Sequence, residues 1–302
     1  MINEILKEVG SAKNKDEKEF NKSLKAYLSG AKLECSIKDY WEKRENNKTA
    51  VQQKYPDLIK QLTFFFMLLS DINQFKDASY KEKKDKAGIK QRINVCSALY
   101  NKSLQTFLDT FGLLEDGAAP SVFLLWRSIY ENFAVSKYLM NSTDEEAGLF
   151  NEYMAVQRRK LLGGKITKEE KTAYIKKLGR DFDANDYCWA KSIKGKKSFP
   201  KIIKVIKENK LFKFYLLSAY FGNSNSFTVN KVFEYNETRA KTITPGFTPD
   251  DVTKSLNALI TVLNEFAVLM IDNFIDDKKQ KEQLKRVISY YSKEIDKKWK
   301  KF

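Results

Sequence analysis

The chain contains no histidine. That absence removes Ser-His and Cys-His nucleophilic systems, imidazole acid–base chemistry at neutral pH and every histidine metal ligand. Cysteine is scarce as well. Cys35, Cys96 and Cys188 show no CxxC spacing and cannot all pair with one another, so they supply neither a zinc set nor a disulfide framework. A reducing, cytoplasmic location is the expectation. Five prolines and twelve glycines in 302 residues are few for a turn-rich β architecture. No segment sustains an alternation of period two, so a sheet is not expected, and no repeat of solenoid length recurs. Long hydrophobic runs are missing too. TFFFMLL is too short to span a bilayer, and ALITVLNEFAVLM carries Asn264 and Glu265 in its middle. The N-terminal MINEILKEVGSAKNKDEKEF has no apolar core behind its basic residues, so neither a signal peptide nor membrane insertion is expected.

What is present is helical periodicity. Ile89, Ile93, Cys96, Tyr100, Phe107, Phe111 and Leu114 recur at steps of three and four and draw one apolar stripe. Val252, Leu256, Leu259, Leu263, Phe266, Met270 and Phe274 draw another. Start signals agree. Thr248-Pro249-Asp250-Asp251 offers a cap, a proline in the first turn and early acids. Thr143 before Glu146 and Thr167 before Glu170 have the spacing of capping boxes, and Ser198 ahead of Pro200 opens a short helix. DASYKEKKDK at 77–86 reads as a loop or a solvated helix end, and breaks fall at Gly163-Gly164 and between Gly179 and Lys197. The expected fold is all-α, a multi-helix bundle of about eight to ten helices. Residues 1–87 read as an N-terminal helical extension, 88–277 as the core domain and 278–302 as a basic C-terminal helix with Leu284, Ile288, Tyr291 and Ile295 on one side.

The net charge of +16 favours an anionic partner: nucleic acid, an acidic protein or an anionic surface. Two runs carry much of it. Between 158 and 180 nine basic residues, Arg158 and Arg159 among them, face only Glu169 and Glu170. Between Lys191 and Lys213, KSIKGKKSFPKIIKVIKENKLFK holds nine lysines against Glu208. Trp189, Phe199, Phe212 and Phe214 accompany the second run, and positive charge with aromatic faces suits single-stranded nucleic acid. Arg159, Lys196, Lys197 and Lys204 are the candidate contacts. A solvated lysine-rich face with its aromatics turned inward is the competing reading.

Other patterns carry less. GGKIT at 163–167 fails as a phosphate loop, because the lysine is not followed directly by Ser or Thr and helices flank it. Asp181, Asp183 and Asp186 suit a divalent ion or, as we prefer, an acidic turn, and no metal or cofactor is expected.

The segment SVFLLWRSIYENFAVSKYLM at 121–140 is apolar around most of its helical circumference, which places it at the centre of its domain. Arg127 and Glu131 are therefore expected to leave water and to be paired or ligated. Their order is the reverse of the acid-first arrangement that helps exposed helices. Either they brace neighbouring helices, or they present the guanidinium to a phosphate or carboxylate.

Several short motifs from about Ala98 to Phe274 carry a family resemblance: Leu125-Trp126-Arg127-Ser128-Ile129-Tyr130-Glu131, the helix of Tyr153, Tyr187-Cys188-Trp189-Ala190, and Tyr215-Leu216-Leu217-Ser218-Ala219-Tyr220. In these the chain resembles the prokaryotic helical proteins grouped as domain of unknown function 5677. That family usually has a histidine a few residues after the serine, where this chain has Phe221-Gly222-Asn223-Ser224-Asn225. The family is similar in flavour to HEPN-type helical domains, many of them ribonucleases of toxin and phage-defence systems. The resemblance implies an intracellular prokaryotic component of such a system that engages RNA or another phosphate-bearing ligand. Arg127 and Glu131 would line a central cleft, with Tyr153, Arg158, Trp189, Ser218 and Asn223 around it. Asparagine can hydrogen-bond a ligand but cannot shuttle a proton at neutral pH, so whether the protein is an enzyme stays open. A non-catalytic module that docks an acidic protein, or a second copy of itself in a homo-oligomer, is the second expectation. A ribonuclease working through Arg with Tyr or Glu is the third.

Overall fold

The computed structural model describes residues 18–19, 21–22, 25, 31–83, 89–116, 118–222 and 249–299. They form ten helices and, among the described residues, no strand: α1 (Ala31–Lys54), α2 (Leu58–Lys83), α3 (Lys90–Glu115), α4 (Ala119–Met140), α5 (Asp144–Leu161), α6 (Lys168–Leu178), α7 (Phe199–Ile206), α8 (Lys210–Gly222), α9 (Pro249–Phe274) and α10 (Lys278–Trp299). The protein is an all-α multi-helix bundle. The chain divides into two compact units, one of residues 1–56 with 115–117, the other of 57–114 with 118–302. In the first, α1 carries Arg44, which pairs with Asp116, and Lys48, whose Nζ lies 3.7 Å from Glu115.

The second unit is organised around α4, which packs against α5, α7, α8 and α9. Its apolar circumference explains this: Trp126, Ile129, Tyr130, Phe133 and Ala134 are all buried, and its aromatic rings meet Phe214 and Tyr215 of α8, Phe199 of α7 and Phe266 of α9. Full burial of one such large apolar side chain is worth roughly 1.5–3 kcal/mol. The Trp126 indole also donates to the Ala258 carbonyl at 2.8 Å, tying α4 to α9. The stripe of α9 from Val252 to Phe274 is buried at every position named from the sequence. Among the described residues this helix, from Val252 to Phe274, is long and apolar enough to cross a membrane; here it packs against α2, α4 and α10. α3 buries Ile93, Cys96, Tyr100, Phe107 and Leu114, and inside that packing Asn132 donates to Ser103 at 3.1 Å. α2 belongs to this second unit, where Tyr291 of α10 lies 4.8 Å from the Phe64 ring and donates to the Gln61 carbonyl at 3.2 Å.

Local signals set the helix ends. Thr167 and Glu170 form a complete capping box on α6, and Gly163, with φ of 67°, makes the turn that separates α5 from α6. Ser198 stands at the N-cap of α7 with Pro200 in the first turn, and α7 ends on Lys207 in the left-handed conformation. The stretch from Gly179 to Ser198 is non-helical, made of turns, bends and irregular residues.

One expected box is only half made. Thr143 accepts from the Glu146 backbone, yet the Glu146 side chain does not reach back to Thr143. It turns inward, where Tyr138 and Ser192 satisfy it.

Candidate functional site

Because α8 lies along α4, Tyr215 meets the pair that the i, i+4 spacing places on one line of α4. Arg127 donates from Nε to Glu131 Oε1 at 3.2 Å and from Nη2 to the Tyr215 hydroxyl at 2.7 Å. That hydroxyl donates in turn to Glu131 Oε1 at 2.7 Å. The guanidinium also sits over the Tyr215 ring, 4.4 Å from its centre. The three groups form a closed ring of hydrogen bonds.

This ring is not buried as the apolar character of α4 led us to expect. The Arg127 and Glu131 side chains are 36% and 39% exposed. Neighbouring helices cover most of α4 but leave a strip through exposed Leu124 and half-buried Arg127, Ser128 and Glu131. An ion pair so placed is screened and contributes at most about 1 kcal/mol.

The electrostatics favour holding a charge over moving a proton. Partial burial works against the Arg127 cation, but its bonds to Glu131 and Tyr215 outweigh that and hold its pKa above the ordinary guanidinium value. Burial, then the bond to Glu131, raises the Tyr215 phenol well above its ordinary range. Tyr215 is thus a fixed donor at neutral pH. Among the described residues Arg127 Nη1 has no acceptor, so one edge of a pre-aligned guanidinium remains available. Such an edge matches phosphate or carboxylate oxygens.

Aromatic rings back the site. Trp126 stacks on Tyr130 at 5.4 Å, and Tyr215 lies 5.5 Å from Tyr130, 4.8 Å from Phe199 and 5.7 Å from Phe212. Tyr187 lies 6.2 Å from Phe199. Its phenol is pushed up to about 12, first by burial and then by the charges of Glu131 and Asp186, with Arg127 opposing. Neither Tyr215 nor Tyr187 was among the residues expected to form the site. The signal was available, since both stand in the quoted motifs and both pair a ring with a hydroxyl.

The remaining candidates are dispersed. Tyr153 is buried and donates to Asp186 at 2.7 Å, while Lys160 lies 3.7 Å from Asp183 and 4.0 Å from Asp186. Those contacts occupy two of the three aspartates as an acidic turn facing a lysine. Trp189 is a core residue, edge-on to Phe150 at 4.9 Å, with its indole donating to the Asp186 carbonyl at 2.9 Å. Ser218 is buried and donates to the Tyr215 carbonyl one turn back, at 2.7 Å. Arg158 is exposed on α5. Asn223 lies outside the described residues.

The basic candidates divide. Arg159 is committed to Glu170 through two bonds of 3.1 and 2.8 Å, which buttress the cap of α6. Lys197 is half-buried and donates to the Cys188 carbonyl at 2.7 Å; desolvation, then nearby Lys191, lowers its pKa. Lys196 and Lys204 are exposed. Burial raises the Cys96 and Cys188 thiols to about 12 and about 11, so neither is a nucleophile at neutral pH.

Among the described residues the buried carboxylate is Glu146. It is 2% exposed, accepts from the Ser192 amide at 3.0 Å and the Ser192 hydroxyl at 2.6 Å, and takes the Tyr138 hydroxyl as well. It fastens Ser192, at the start of the lysine-rich stretch.

The model of the family of unknown function DUF5677 matches residues 93–227, a little under half of the chain. The matched segment runs from α3 through α8 and contains Arg127, Glu131, Tyr187 and Tyr215, so the family resemblance carried by the sequence motifs is shown across the site. No curated protein and no solved structure matches the chain.

Proposed function

We propose that this protein is a non-catalytic binder of a phosphate-bearing ligand, RNA foremost, within a prokaryotic phage-defence or toxin-like system. The observation that supports the binding is the Arg127 guanidinium, half-exposed, aligned by Glu131 and Tyr215, with Nη1 lacking an acceptor among the described residues. The exposed lysines of the stretch from Lys191 to Lys213 extend the positive surface, since that stretch includes Phe199, which touches Tyr215. The phage-defence or toxin-like setting rests on the sequence resemblance alone. A non-catalytic reading fits the chemistry: the chain has no histidine, and Tyr215 is held in its protonated form.

The test is fluorescence anisotropy with a labelled single-stranded RNA across a salt series. Binding should weaken linearly in log[salt], with a slope of roughly −0.7 per phosphate neutralised. Arg127→Lys keeps the charge but loses the planar fork, and should weaken binding several-fold. Full affinity in Arg127→Ala, or no binding even at low salt, would overturn the proposal.

One observation favours the interaction module as a second reading. Met154 and Leu161 of α5 and Leu162 at its C-cap are exposed beside Arg158, a surface suited to an apolar, acidic partner segment. Sedimentation of the purified chain as a dimer that ignores RNA would promote it.

A further inference from the structure

Where α7 gives way to α8, Asn209, Lys210, Lys213 and Phe214 line a concave site of about 550 Å³, open on its outer side. That is within the roughly 300–1,000 Å³ typical of small-ligand sites, and its openness suits part of a polymer better than an enclosed metabolite. Its polar groups are uncommitted. Among the described residues the Asn209 amide and the ammonium groups of Lys210 and Lys213 have no hydrogen bond or ion pair. The one acid nearby in sequence, Glu208, is taken by Lys137 at 3.1 Å. Phe214 is 39% exposed, with its ring held edge-on to Trp126 at 6.4 Å. Trp126 and Phe214 immediately adjoin Arg127 and Tyr215 on their two helices, so the concavity and the guanidinium flank the same helix contact.

We infer that this site seats an unstacked base of a single-stranded nucleic acid, with Phe214 as the stacking face, Asn209 on the base edge, and Lys210 and Lys213 on the flanking phosphates. This rests on the reading of Arg127 as a phosphate contact and adds a base-dependent component to it. A ring fixed from behind by an indole is pre-organised for stacking, and a base offers a π-face whatever its identity. The lysines act as point charges that follow the strand.

The experiment compares two labelled strands of equal length on the full chain, one an unstructured RNA and one an abasic phosphodiester. The wild type should prefer the RNA by about five-fold or more, as expected for one stacked base. Phe214→Leu keeps the apolar bulk against Trp126 without an aromatic face, and should abolish that preference while binding the abasic strand unchanged. Phe214→Trp should restore it. Equal wild-type affinity for both strands would overturn the inference and leave the anion-binding reading standing. An RNA preference that survives in Phe214→Leu would overturn the assignment to this site, and failure to bind either strand would overturn both readings.

Discussion

Two carboxylates on consecutive helices, Glu131 of α4 and Glu146 of α5, sit in different surroundings. Glu146 is enclosed and met by three donors, two of them from Ser192 at the start of the lysine-rich stretch. Glu131 stands 39% exposed and serves to orient Arg127 and Tyr215. The same division separates the basic residues. Arg159 and Lys197 are engaged by partners within the chain, Glu170 and the Cys188 carbonyl, whereas Lys196, Lys204, Lys210 and Lys213 are exposed with no such partner among the described residues. A charge with all its partners inside the fold stabilises the fold and has nothing left for a ligand. A charge held by one or two partners at the surface is aimed, and it is this second set that can do binding work.

The strongest way to break the comparison is to remove Glu146. Glu146→Ala leaves the buried Tyr138 hydroxyl without its acceptor and frees the Ser192 amide and hydroxyl, and each loss of a bond to a charged partner costs about 1.5–3 kcal/mol. We expect a total loss of about 3 kcal/mol or more, read as a lower midpoint in urea denaturation. Glu146→Gln, which keeps the shape and an acceptor, should lose less than half of that. A Glu146→Ala protein as stable as wild type would show that the engaged set is not structural.

The next prediction sharpens the division among the lysines. Lys194, Lys196 and Lys204 are exposed, so reversing all three to Glu should reduce RNA affinity about ten-fold or more at low salt through lost counterion release. The thermal midpoint should stay where it is. Lys197→Glu should behave oppositely. It places a carboxylate against the Cys188 carbonyl, and it should lower the midpoint by several degrees whatever it does to binding. If the triple variant binds RNA as well as wild type, or if Lys197→Glu melts unchanged, the two sets are not distinct.

Why the stripes were legible and this division was not follows from the range of the contacts. The apolar steps of α3 and α9, the box at Thr167 and Glu170 and the start of α7 at Ser198 are written within a turn or two of chain, and the structure shows them, with only Ile89 and Phe111 of the first stripe left half-buried. The Tyr215 hydroxyl reaches Glu131 across 84 residues, and the Ser192 amide reaches Glu146 across 46. No periodicity records such meetings. The apolar circumference of α4 did announce a central helix, but which strip its neighbours leave open depends on where α7, α8 and α9 lie. Arg127 and Glu131 fell on that strip, so the pair was legible while its exposure was not. Thr143 and Glu146 show the converse: the spacing of a capping box is present, and a buried acceptor role takes the glutamate away from it.

The smallest effect concerns the Arg127–Glu131 pair itself. Truncating one partner of a buried pair costs about 3–5 kcal/mol, because the other is left charged and dry. At 36% and 39% exposure water reaches both groups, and solvent screening leaves a coupling of at most about 1 kcal/mol. Arg127→Met and Glu131→Leu should each cost little in a urea melt, and the double variant should fall near the sum of the two, with the cycle giving a coupling of at most about 1 kcal/mol. Function should respond on another scale, since either single change removes the aligned guanidinium edge that Tyr215 and Glu131 jointly set, and RNA affinity should fall in both. A coupling of several kcal/mol would return the pair to the role of a brace. Unchanged RNA affinity in the stable double variant would take Arg127 out of the binding surface altogether.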